Sequence, residues 1–271
     1  MNIQYSNHGQ AIAPKSIQLS KDVFLPQDNT RIYWLGNASI LICSHGTNVL
    51  IDPWLTHFSL PLLVDIPLKI EDIPSIDGIC ITHIDFDHLS FETCSALKTS
   101  CEMFHAPNYV ADVLKEKEYP VTKHDIHESF EIGSLKFTLT PTKHNWQSEK
   151  KEYDYRIWKE SDYCGYWIES MDGNIWLPSD SRLLEEHLHM PHPDLILFDF
   201  ADEKWHITLN GAITLANTYP HSDLLCIHYG CIDAYDKKPI NGNPNDVYQK
   251  ISHPERLKVV APGECYLLEK K

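Results

Sequence analysis

The chain has 271 residues of ordinary globular composition, 42% hydrophobic and 23% charged, enough for one large domain or two small ones and for a sizeable core. Its 23 basic residues against 38 acidic ones give a net charge of −15, which repels phosphate backbones and anionic lipid and argues against nucleic-acid and membrane partners. Sixteen histidines without a His-rich tract have no packing reason to be there and direct the search to metal ligands.

In chain order, the first twenty residues lack the basic and apolar regions of a secretory signal, and no apolar run approaches the roughly 20 residues of a membrane span. The eight cysteines form no C-x-x-C pair and no regular framework. The expectation is a cytoplasmic protein with reduced, mostly buried thiols. Apolar runs predict strands over 31–43, 49–51, 78–82, 135–140, 163–169, 174–177, 194–200, 224–228 and 257–260. Helical patterns fall over 91–99, 107–118, 183–190, 209–218 and 244–251. Strands and helices alternate with no linker and no repeat, which predicts a single layered α/β domain over 1–271. Two irregular segments, 55–75 with Pro61, Pro67 and Pro74, and 145–162 with Trp146, Tyr153, Tyr155 and Trp158, are candidate lids.

The sharpest motif is Thr82-His83-Ile84-Asp85-Phe86-Asp87-His88-Leu89-Ser90, on the turn that leaves the apolar run 78–81 and enters a helix. In extended chain His83 and Asp85 point to the same side and can share one metal. Asp87 and its neighbour His88 cannot both follow that direction, so a second metal beside the first is the natural reading. Further ligands should lie at other strand ends, and His144, Asp180 and His228 each follow an apolar strand.

Six blocks now stand in order: Trp34-Leu35-Gly36-Asn37-Ala38-Ser39-Ile40, Val49-Leu50-Ile51-Asp52-Pro53-Trp54, His83 to His88, Pro141-Thr142-Lys143-His144, Pro178-Ser179-Asp180-Ser181 and Ile227-His228-Tyr229-Gly230. Over about residues 30–232 the sequence resembles the metallo-β-lactamase superfamily, in the branch of the N-acylphosphatidylethanolamine phospholipase D and ascorbate-6-phosphate lactonase types. The resemblance implies a four-layer αββα sandwich with a dinuclear site on the shared edge of two sheets. It implies two divalent ions, zinc, manganese or iron: His83, Asp85 and His144 would hold one, Asp87, His88 and His228 the other, Asp180 would bridge them, and Asp52 would orient ligands.

Three positions depart from the family pattern. Asp85 stands where His-x-His-x-Asp-His has its second histidine; its hard oxygen moves preference from zinc toward manganese or iron, and its charge lowers that of a two-ion site. Asn37 stands in place of a histidine, and Pro-Ser-Asp in place of a small-residue Gly-Asp.

The implied activity is hydrolysis of a small anionic molecule, a phosphodiester or phosphorylated metabolite, by metal-bound hydroxide. A lactonase is the alternative; a di-iron oxidoreductase and a non-catalytic metal-binding protein are readings of other classes, the former without flavin or Rieske-type residues to supply electrons. Asp87 would hold the nucleophile's proton, and His206 would stabilise a leaving group or oxyanion. Substrate contacts are expected from among Trp54, Phe58, Trp146, Trp205, Tyr229 and Tyr235, with Lys143, Arg156 and Lys237-Lys238 as candidates for an anionic group. The histidines at 124, 127, 187, 189, 192 and 221 read as surface or helix-end residues. The expected partner is a small-molecule substrate, and a homo-oligomer is left open.

Overall fold

In Ser39–Ser44 and Thr47–Ile51 every residue is buried, as strands covered on both faces must be. The computed structural model of the chain describes residues 2–56 and 60–271. It contains two seven-stranded sheets and one small two-stranded ribbon. The first sheet runs Cys265–Leu267, Thr30–Gly36, Ser39–Ser44, Thr47–Ile51, Gly78–Cys80, Phe104–Pro107, Val121–His124. The second runs Leu257–Lys258, Asp223–Cys226, Leu195–Phe198, Gly173–Leu177, Gly165–Ser170, Leu135–Thr140, Ser129–Ile132. Each sheet is antiparallel in one half and parallel in the other, the change falling at Thr47–Ile51 in the first and at Gly173–Leu177 in the second.

Alternation along the first sheet sorts its side chains into two cores. Ile32, Trp34, Ile40, Ile42, Val49 and Ile51 join Phe137, Leu139, Tyr166 and Trp176 of the second sheet in a core between the sheets. Tyr33, Leu35, Leu41, Cys43 and Leu50 point the other way, onto Cys94 and Leu97 of the helix Phe91–Leu97 and Val110 and Leu114 of the helix Asn108–Glu116. Ala212, Leu215 and Ala216 of the helix Leu209–Thr218 cover the second sheet. The layers are therefore αββα.

The elements differ from expectation where apolar content hides a turn. Residues 31–43 form a hairpin of two strands, because Asn37 takes φ 47° and reverses the chain between Thr30–Gly36 and Ser39–Ser44. The predicted helix 183–190 is only a 3-10 turn, Glu186–Leu188, followed by Pro191 and Pro193, which cannot continue it. Segment 145–162 is a packed series of 3-10 turns with Gln147, Trp158 and Asp162 buried. In segment 55–75 Leu55, Leu68 and Ile73 belong to the core of the first sheet and its helices. Seven cysteines are buried free thiols and Cys265 is exposed. Among the described residues no helix is long and apolar enough to cross a membrane.

Candidate metal centre

The polar residues of the sequence blocks collect where strands end. Asp52 follows Thr47–Ile51, the stretch Thr82 to His88 follows Gly78–Cys80, and His144 lies beyond Leu135–Thr140. Asp180, Asp199 and His228 follow Gly173–Leu177, Leu195–Phe198 and Asp223–Cys226. Tight exits put non-glycine residues in left-handed backbone: Asn37, Asp52 at φ 46°, Ser179 at 59° and His228 at 60°. Strain of this kind persists where the surrounding structure over-determines it, and here it surrounds one point.

That point is Oδ2 of Asp180. His88 Nε2 lies 3.2 Å away, His206 Nε2 3.6 Å, His228 Nε2 3.7 Å, His144 Nε2 3.8 Å and His83 Nε2 3.9 Å. Asp85 Oδ2 is 3.3 Å from His144 Nε2 and 3.6 Å from His83 Nε2; Asp87 Oδ2 is 3.4 Å from His228 Nε2. His83, Asp85 and His144 thus form one group whose ligand atoms lie within 4.8 Å of one another, and Asp87, His88 and His228 form another.

Each imidazole is held by its far nitrogen. Nδ1 of His88 donates to Asp52 Oδ2 at 2.8 Å, that of His206 to Asp199 Oδ2 at 2.7 Å, that of His144 to the Trp205 carbonyl at 2.9 Å and that of His228 to the Pro239 carbonyl at 3.1 Å. His83 Nδ1 donates to Thr82 Oγ1 at 2.9 Å, whose own proton goes to Asp52 Oδ2 at 2.6 Å. With Nδ1–H engaged, every ring turns Nε2 toward Asp180, the arrangement of a metal-binding histidine supported by an outer acceptor. Nε2 of His83 and of His228 are buried and make no hydrogen bond. Buried polar nitrogens without a partner, among three carboxylates, fit divalent cations.

Electrostatics point the same way. Burial alone would raise the Asp85 carboxyl, but the hydrogen bond from His144 and the close approach of His83 hold it far below the usual carboxylate range. Burial is likewise overridden at Asp87, which the adjacent His228 and His88 imidazoles bring to about 2, and at Asp180, held well down by the charges of His228, His88 and His206. Against burial, Asp180 and Asp52 push His88 well up, and Asp180 with Asp87 pushes His228 to about 9. His83 goes down, from burial and the neighbouring His88. The acids are ionised and the raised imidazoles of His88, His144 and His228 hold protons, which a bound cation would displace.

Above the centre opens a cleft of about 490 Å³ whose walls include Trp54, Leu60, Phe86, Trp146, Trp205 and Ile232, with Asp85, Asp87, His144, Asp180, His206 and His228 at its floor. Tyr229, expected among the substrate contacts, is only 1% exposed and does not line the cleft; its ring stacks on Trp34 at 5.4 Å and packs against Phe200 at 5.5 Å. It follows His228, and because that residue faces the centre, its neighbour faces the core. Tyr235 is exposed and stacks on His8, while Phe58 lies outside the described residues. Lys143 and Arg156 pair with Glu160 and Asp162 away from the cleft, whereas Lys237 lines it. His124 and His187 are buried, at 3% and 1% exposure, and so are not surface residues.

Sequence reasoning missed Asp199, Gln147 and the hydrogen-bonding role of Asn37. Asn37 Nδ2 donates to Asp87 Oδ2 at 3.1 Å, and Gln147 Nε2 to Asp85 Oδ1 at 2.6 Å. Only Asp199 carried a sequence signal, an acid at the end of an apolar strand like Asp52 and Asp180.

Comparison with known proteins bears on the fold and the family. A UPF0173 metal-dependent hydrolase of Aeropyrum pernix is 24% identical over 87% of this chain and 96% of its own. An N-acyl-phosphatidylethanolamine-hydrolyzing phospholipase D 1 of Caenorhabditis elegans is 22% identical over 78% of this chain and 67% of its own. Igni18, a metallo hydrolase of Ignicoccus hospitalis, superposes with a TM-score of 0.70 at 19% identity, covering 90% of this chain and all of its own. The family model of the beta-lactamase superfamily domain matches residues 47–229, a span that holds both ligand groups and Asp180, and the chain belongs to that superfamily.

Proposed function

We propose that the chain is a dinuclear metal-dependent hydrolase acting on a phosphodiester with an apolar ester group. The observation that carries this reading is the pair of three-residue groups on either side of Asp180 Oδ2, His83, Asp85, His144 and Asp87, His88, His228. Divalent cations held there would supply Lewis acidity and lower the pKa of a bound water toward about 7.

The chain's own residues do the rest. Asp180 joins the two groups through one oxygen, and Asp52 fixes His88 directly and His83 through Thr82. Asp87, steadied by Asn37, is placed to take the nucleophile's proton. His206 stands between His144 at 5.0 Å and His228 at 5.5 Å, ring centre to ring centre, with Asp199 locking its tautomer. As the imidazolium, with Nδ1–H held by Asp199, it can deliver the Nε2 proton to the leaving oxygen, the part of a general acid.

The cleft walls select the substrate class. Trp54, Phe86, Trp146 and Trp205 suit an apolar or aromatic group, while among its lysines Lys204 is already paired with Glu149 at 2.5 Å. A single phosphodiester charge meets the centre, with Lys150 and Lys237 also on the cleft wall. The same walls favour a neutral lactone as the second reading. The test is hydrolysis of bis-p-nitrophenyl phosphate and of a lactone panel by metal-replete protein. His88→Ala should abolish turnover, and metal-replete protein inert toward both panels refutes the assignment.

A further inference from the structure

Asp85 is the residue that sets this centre apart, and its surroundings are built for it. Oδ1 receives Gln147 Nε2 at 2.6 Å; Oδ2 receives Trp146 Nε1 at 2.7 Å and faces His144 and His83. Gln147 is 1% exposed, and its Oε1 accepts the hydroxyl of Tyr163, also 1% exposed. Chemistry fixes the order of this chain. A carboxylate only accepts, so the Gln147 amide must turn Nε2 toward Asp85, which leaves Oε1 for the Tyr163 proton. All three donors come from beyond the strand Leu135–Thr140, 61 to 78 positions along the chain from Asp85, and none of them belongs to a ligand group.

We propose that Tyr163, Gln147 and Trp146 form a clamp that turns Asp85 into a one-oxygen, charge-depleted ligand, so that a carboxylate serves where a neutral imidazole would otherwise stand. Each oxygen accepts one donor, and it is Oδ2 that also faces His83 and His144, while Gln147 holds Oδ1 turned away from them, so the clamp disfavours chelation of a cation through both oxygens. Two N–H donors draw negative charge from the carboxylate, which brings its donor strength toward that of an imidazole nitrogen. Gln147 and Trp146 are therefore positioning residues acting through Asp85. The segment 145–162 serves the metal centre as its scaffold, beyond any covering of the cleft. This inference rests on the reading above that His83, Asp85 and His144 hold a metal ion.

The test is metal affinity measured by chelator competition with Mn²⁺ and Zn²⁺, with ion content from elemental analysis, on wild type, Gln147→Leu and Trp146→Phe, and on both variants again in an Asp85→His background. Gln147→Leu keeps side-chain bulk and Trp146→Phe keeps a smaller aromatic ring, and thermal unfolding of the metal-free proteins checks folding. Gln147→Leu should weaken the tighter-affected ion by about 10- to 100-fold, the range for outer partners of metal ligands, and Trp146→Phe by a smaller factor. In the Asp85→His background both effects should shrink to less than about threefold, since an imidazole has no second oxygen to clamp. Equal affinity in wild type and both variants, or an undiminished loss in the Asp85→His background, overturns the clamp while leaving the hydrolase reading intact. Wild type that takes up no ion overturns both.

Discussion

Replacing His105 with glutamine should remove a large part of the protein's acid sensitivity. His105, on the strand Phe104–Pro107, is 8% exposed, and its Nδ1 lies 3.0 Å from His124 Nε2. His124 in turn reaches Glu128 Oε1 at 3.4 Å, and both imidazoles stack on Phe130, at 4.4 Å and 4.0 Å between ring centres. The pile joins the last two strands of the first sheet to the edge strand of the second. Burial first, and His124 second, push the His105 imidazole from 6.5 down to about 4. The unfolded chain therefore takes up this proton near its ordinary value, and the folded chain does so only near pH 4. Stability is complete above about pH 6.5 and is lost as pH falls through that window. At about 1.4 kcal/mol per pH unit of separation, the loss attributable to His105 is about 3 kcal/mol. Denaturant unfolding of wild type and His105→Gln at several pH values between 7 and 4.5 measures it. Wild type should lose stability more steeply, by most of that amount, with His124 and Glu128 titrating in both. Parallel stability curves for the two proteins would refute the reasoning.

Other outcomes follow from residues already described. His206→Ala should lower the rate on a diester with a poorly acidic alcohol leaving group by about 10² to 10⁴, and far less on a p-nitrophenyl ester, which needs no general acid; an equal fall on both would count against proton donation. Ser179 takes left-handed backbone at φ 59° and buries an unpartnered hydroxyl, so Ser179→Gly should raise stability by about 1 kcal/mol, seen as a higher Tm of the metal-free protein. Arg256 is 5% exposed and donates to the carbonyls of Ala216, Tyr219, Ser222 and Ser252, so Arg256→Met should cost about 3 kcal/mol in denaturant unfolding by stranding buried acceptors.

The strand order along the chain and the metal-type residues were legible because each is written locally. An apolar run marks a strand covered on both faces, and a lone acid or histidine at its end is chemically out of place there. What could not be read depends on distance in space. Gln147 meets Asp85 across 62 positions, and Asp199 acquires a role only when folding brings His206 beside it. The strands Val121–His124 and Ser129–Ile132 went unseen because they are largely exposed and polar edges, and the short strands Phe104–Pro107, buried inside its sheet, and Cys265–Leu267 went unseen as well. Tyr229 was misplaced by its proximity to His228, since neighbours in extended chain diverge. The surplus of histidines has a second explanation besides metal: His105, His124 and His187 are core residues, two stacked on Phe130 and one bonded to the Pro141 carbonyl.

The two seven-stranded ladders share no hydrogen-bonded strand, yet the centre draws from both. Asp52, His83, Asp85, Asp87 and His88 leave the first, while His144, Asp180, Asp199 and His228 leave the second. A ligand seated at Asp180 is therefore a rivet through two plates. Its binding energy is added to the joint between the sheets and so to the cooperativity of the whole chain, in place of a single loop. With an ion held there, the sheets would not part along that seam without first giving it up, which would make cargo at the cleft floor a fastener of the architecture that holds it.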